Sequence, residues 1–87
     1  MGPREKILAR LLRGASDANL AFEDLRQLLR ELGFDERIRG SHHMFRKTGV
    51  LELINLQREG SKAKMYQVRQ VRAILLKYRL AGEGEEE

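Results

Sequence analysis

Phe34-Asp35-Glu36-Arg37-Ile38-Arg39-Gly40-Ser41-His42-His43-Met44-Phe45-Arg46 is where the hydrophobic period of the chain changes. Upstream, apolar residues recur at helical spacing. Here they alternate, with Phe34 and Ile38 on one side and Arg37 and Arg39 on the other, as in a strand with one face turned to water. Gly40-Ser41 is a turn signal, and His42–Arg46 resumes in extended form. If Phe45 points into the core, alternation puts His43 on its side and His42, Met44 and Arg46 on the opposite face.

Working outward, Phe22–Leu32 carries Phe22, Leu25, Leu28, Leu29 and Leu32 at the spacing of a core-facing helix. Gly33 stands where a left-handed residue closes a helix. Before it, Arg4–Arg13 reads as a short amphipathic helix with Ile7, Leu8, Leu11 and Leu12 on one stripe, stopped by Gly14 and followed by a polar connector over Ala15–Asn19. After Arg46, Lys47-Thr48-Gly49 is a second turn and Val50–Gln57 a β-rich apolar run, the third strand. Arg58–Lys64 reads as a polar, basic loop. Gln67–Arg79 reads as a last helix that buries Val68, Val71, Leu75 and Tyr78 and exposes Arg69, Arg72 and Lys77. The expected fold is α+β in the order α-α-β-β-β-α, a three-stranded antiparallel meander with helices packed on one face and the other face open.

At 87 residues the chain suits one modest core. A single domain is expected over residues 1–81, with an acidic, disordered tail over 82–87. The net charge is +4, and setting aside the four glutamates of the tail leaves +8 on the body. A compact body so basic attracts polyanions, of which nucleic acid is the commonest. There is no cysteine, which excludes disulfides and thiolate zinc sites. No apolar run approaches the ~20 residues needed to cross a membrane, and no signal-peptide pattern opens the chain, so a cytoplasmic location is expected.

The turn holds the chemistry. His42 sits beside Arg37 and Arg39 on an uncovered sheet face. Cleaving RNA through its own 2′-OH needs a group that titrates near neutrality and cations to hold the phosphate. Adjacent strand residues face opposite ways, so His42 and His43 are poor joint metal ligands, and no metal or other cofactor is expected. Lys62, Lys64, Arg69 and Arg72 cluster where a basic loop meets a helix start, a junction that touches phosphates in double-stranded-RNA-binding folds. Met44, Leu51 and Leu53 form an apolar patch beside His42 unless a bulge turns the leucines inward.

Leu28-Leu29-Arg30-Glu31-Leu32-Gly33-Phe34, then Arg37, then Gly40-Ser41-His42-His43-Met44-Phe45 resembles the core of the HicA family. These are toxin halves of toxin–antitoxin pairs and act as mRNA interferases. The resemblance covers Phe22–Tyr78 and implies a fold similar to a double-stranded-RNA-binding domain. It implies His42 as the catalytic residue, with Gly40 and Ser41 setting its angle and no metal. It also implies mRNA as substrate and a HicB-like antitoxin seated over Met44 and Leu53. A homodimer is left open. The helix Arg4–Arg13 precedes the usual family start, and Asn55-Leu56-Gln57 stands where many members have a proline-containing exit. A different reading of the same fold is a non-catalytic RNA-binding module.

Overall fold

The computed structural model describes residues 3–14 and 17–80. Helix α1 (Pro3–Arg13) is followed by a single 3₁₀ turn (Asp17–Asn19) and helix α2 (Phe22–Glu31). Strands β1 (Asp35–Arg39), β2 (His42–Arg46) and β3 (Ile54–Leu56) form one antiparallel sheet in sequence order. A two-stranded hairpin, β4 (Arg58–Glu59) and β5 (Lys62–Ala63), leads into helix α3 (Met65–Lys77). The expected acidic tail and the Ala15-Ser16 part of the connector lie outside the described residues.

The α2 stripe enters the core as its spacing predicts: Phe22, Leu25, Leu28 and Leu29 are all buried. They meet Phe45, Ile54 and Leu56 from the sheet and Val68, Val71, Ile74 and Leu75 from α3. Gly33 closes α2 at φ 98°, donating to the Arg30 carbonyl, while Phe34 N–H reaches back to Leu29 O at 3.0 Å. That pair of bonds is a Schellman cap, and the buried Phe34 and Leu29 side chains supply its usual apolar contact. The cap turns the chain straight into β1. Helix α1 lies against α2 and α3 and buries Leu11 in the shared core.

Three expectations need correction. The third strand is only Ile54–Leu56, not Val50–Gln57. Val50 is buried, but Leu51–Leu53 leave the sheet edge because the end of α3 holds them: Leu51 N–H donates to Tyr78 Oη, and Glu52 accepts from Lys77 Nζ and Tyr78 Oη. Arg58–Lys64 is a hairpin rather than a loop, so the order is α-α-β-β-β-β-β-α. Ala63 N–H donates to Leu20 O and Phe22 N–H to Ser61 O, pinning the hairpin to the start of α2 and burying Ala63. Finally, α3 begins at Met65, and Gln67 is buried with its Oε1 accepting from Gln57 N–H at 2.8 Å.

Candidate active site

Ladder register fixes what faces what. Asp35 pairs with Arg46, Arg37 with Met44, and Arg39 with His42 across β1 and β2, and Met44 pairs with Asn55 across β2 and β3. Alternation then sets two faces. Phe34, Glu36, His43, Phe45, Ile54 and Leu56 turn toward α2 and α3, although Ile38, at the far end of this row, is 52% exposed. The open face carries Asp35, Arg37 and Arg39 on β1, Arg46, Met44 and His42 on β2, and Leu53, Asn55 and Gln57 along β3 and its flanks.

The two histidines therefore live in different media. His43 is packed edge-on against the Phe22 ring, with centroids 4.9 Å apart, and its Nδ1 lies 2.8 Å from Glu36 Oε2. Glu36 also takes the Arg26 Nε–H at 2.5 Å. Burial raises the Glu36 carboxyl, but the hydrogen bonds from Arg26 and His43 outweigh it and hold the group below its ordinary value. His43 is a cross-link between sheet and helix.

His42 is exposed, and its Nδ1 lies 3.3 Å from Asn55 Oδ1. An amide oxygen can only accept, so this contact is a hydrogen bond in the tautomer that carries its hydrogen on Nδ1, which leaves the lone pair on Nε2. Next to it, Gln57 Nε2 reaches Ser41 Oγ at 3.5 Å, and Gln57 Oε1 meets Lys64 Nζ at 3.5 Å. Gly40 sits at φ 57° in the connecting turn, which glycine takes without steric cost. Ser41 and Gly40 thus stand where they direct the start of β2. Asn55 and Gln57 belong to no motif in the sequence. A polar residue at an outward position of an apolar strand was the one signal available.

On the same face as His42, the side chains of Arg37, Arg39 and Arg46 have no hydrogen-bond or ion-pair partner among the described residues. Met44 is half-buried between them, Leu53 is 40% exposed and Leu51 is 88% exposed. The leucines point out, so the bulge that would have turned them inward is absent. The second basic cluster is only partly available. Arg72 is bound through both terminal nitrogens to the Asp17 carboxylate at 2.8 and 3.1 Å and donates to Leu11 O. It ties α3 to α1 and the 3₁₀ turn. Arg69 lies 3.8 Å from the same carboxylate, while Lys62 and Lys64 touch only amide oxygens.

Comparison with protein-family models, curated proteins and solved structures returns no match. Among the described residues, no helix is long and apolar enough to cross a membrane.

Proposed function

We propose that the protein is a HicA-like, double-stranded-RNA-binding-domain-like endoribonuclease that cleaves mRNA with His42 as general base and without a metal. The observation that carries this reading is the Asn55–His42 contact on an arginine-lined face, and the tautomer in which Nδ1 donates to Asn55 has Nε2 as its lone-pair nitrogen. In the proposed step Nε2 takes the proton of a ribose 2′-OH. The 2′-oxygen bonds to the adjacent phosphorus, and the bond to the 5′-oxygen breaks as that oxygen takes a proton from solvent. The products are a 2′,3′-cyclic phosphate end and a 5′-hydroxyl end. Arg39, opposite His42, is placed to stabilise charge developing on the phosphoryl oxygens.

Lys62, Lys64 and Arg69 extend the positive surface on which the RNA backbone rests, and Arg72 shapes that surface while paired to Asp17. The regulating partner is a HicB-like antitoxin that covers Met44 and Leu53. The resemblance in sequence, the three-stranded antiparallel sheet and the open histidine face support this together. The test is a labelled mRNA incubated with purified protein in EDTA. Cleavage to cyclic-phosphate ends is expected, and His42→Ala should reduce the rate ~10²–10⁴-fold. RNA retained intact by the wild type would instead favour a non-catalytic RNA-binding module. Folded His42→Ala protein that cuts at the wild-type rate would remove His42 from the chemistry.

A further inference from the structure

The open sheet face holds a second feature beside His42. A groove of about 660 Å³ is lined by Asp35, Arg37, Arg39, Met44, Arg46 and Leu53. Glu36 also borders it, but its carboxylate is committed on the covered face to Arg26 and His43. The volume is that of a small-ligand site, within the roughly 300–1,000 Å³ range such sites occupy. Its chemistry is uneven. The floor is apolar (Met44 and Leu53), the walls are three guanidinium groups without side-chain partners, and one carboxylate, Asp35, stands at the far end.

The spacing is informative. Along β2 the open-face residues are His42, Met44 and Arg46, so at ~3.3 Å per residue Met44 lies ~7 Å and Arg46 ~13 Å from His42. Asp35 is directly opposite Arg46. A nucleotide whose phosphate lies over His42 and Arg39 would lay its base across Met44 and bring the base edge to the row of Asp35, Arg46 and Leu53. Apolar and guanidinium surfaces are what an unpaired base stacks on. A base locked in a duplex cannot lie flat on this floor.

We infer that this groove is the subsite for one unpaired nucleotide next to the cleaved phosphate, and that Asp35 selects its base. A carboxylate only accepts hydrogen bonds. It therefore prefers a base edge with two donors side by side, which guanine supplies through N1–H and the 2-amino group, and rejects uracil, whose carbonyl oxygens would face it. Arg46, across the strand, supplies charge for the flanking phosphate. The inference rests on the RNA-cleaving reading for its phosphate position, but binding alone tests it.

Labelled pentanucleotides with 2′-O-methyl ribose cannot be cut by 2′-oxygen attack, and their binding is read by fluorescence anisotropy. One probe is all uridine, and its companion carries a single central guanosine. The wild type should bind the guanosine probe about tenfold more tightly, as expected for one well-made pair of hydrogen bonds to a base. Asp35→Asn should bring the two affinities together. Arg46→Ala should weaken both and lower the salt dependence by about 0.7 in log–log slope. Arg30→Ala on the exposed side of α2 is the control for lost charge and should change neither ratio nor slope. Equal affinity for the two probes in the wild type overturns the subsite, as does a preference that survives Asp35→Asn. A wild type that shows the preference but cuts no RNA overturns the cleavage reading and leaves the subsite standing.

Discussion

At the scale of single residues, two adjacent histidines have different surroundings because a strand sends them to opposite faces. In the proposed reaction His42 is aimed by its contact with Asn55. Replacing Asn55 by alanine frees the ring to adopt the other tautomer or to turn away, without changing its bulk surroundings. Cleavage should fall by about tenfold to a hundredfold, less than for His42→Ala, since the base remains but is no longer aimed. Asn55→Asp should restore orientation and shift the pH–rate profile upward, because a carboxylate stabilises the imidazolium. A merely structural Asn55 would lower thermal stability and leave the pH profile alone. His43→Ala should behave in the reverse sense. It removes the Phe22 contact and one partner of Glu36, so unfolding free energy should drop by about 1–2 kcal/mol while the activity of the folded fraction holds. The face on which His42 lies was legible from alternation about Phe45. Its partner was not, because Asn55 is 13 residues away and meets it only through the β2–β3 register.

At the scale of elements, helices with a clean stripe read correctly and short strands did not. Two-residue strands such as β4 and β5 carry no alternation to detect, and their position is set by hydrogen bonds to Leu20 and Phe22. The end of α3 shows the same limit. It finishes in a Schellman cap, with Leu80 N–H on Leu75 O at 2.9 Å, but the left-handed position is filled by Arg79 at φ 57°. An L side chain there costs ~1–2 kcal/mol that glycine avoids, in part offset by the greater freedom of glycine when unfolded. Arg79→Gly should therefore raise the unfolding free energy by about 0.5–1 kcal/mol in a denaturant titration, and a loss would mean that the arginine side chain contributes more than its backbone costs. The hairpin makes a prediction of its own. Lys62 and Lys64 are held only by weak contacts to amide oxygens, so both can turn to phosphate. Replacing both by alanine should lower RNA affinity and reduce the log–log salt slope by roughly 0.7–0.9 per lost contact. An unchanged slope would place the RNA elsewhere.

At the scale of the whole molecule, carboxylates join elements that the core alone leaves loosely tied. Asp17 is lowered by its hydrogen bond from Arg72, Glu23 by that from Arg26 of its own helix while it also takes Arg58 of β4, and Glu52 falls from 4.5 to about 2 through Lys77 and Tyr78. A carboxyl whose folded value lies below its unfolded one adds stability that is complete above the unfolded value and disappears as pH falls through the folded one. For Glu52 that window runs from about 4.5 down to about 2. Wild-type and Glu52→Gln proteins should therefore differ in melting temperature near neutrality and converge toward pH 2. A difference that stays constant with pH would mean that the amide loses shape rather than charge.

The open sheet face is uncovered among the described residues, and its apolar content bears on the proposed antitoxin. Leu53 is 40% exposed and Leu51 88% exposed, beside a half-buried Met44, so this patch is surface and not core. Leu53→Asp should then leave melting temperature nearly unchanged, because substitutions away from buried features shift stability by about 0.5 kcal/mol or less. It should weaken the complex with a HicB-like partner by tenfold or more, since a desolvated carboxylate at an apolar contact has no partner to offset its lost water. Leu53 also lines the groove proposed for the nucleotide, so the proposed partner and RNA would compete for it. Adding the partner should release a bound pentanucleotide in proportion to complex formed, read by the same anisotropy. A ternary complex holding both would show that the partner seats on another face, with Leu53 left to the RNA alone.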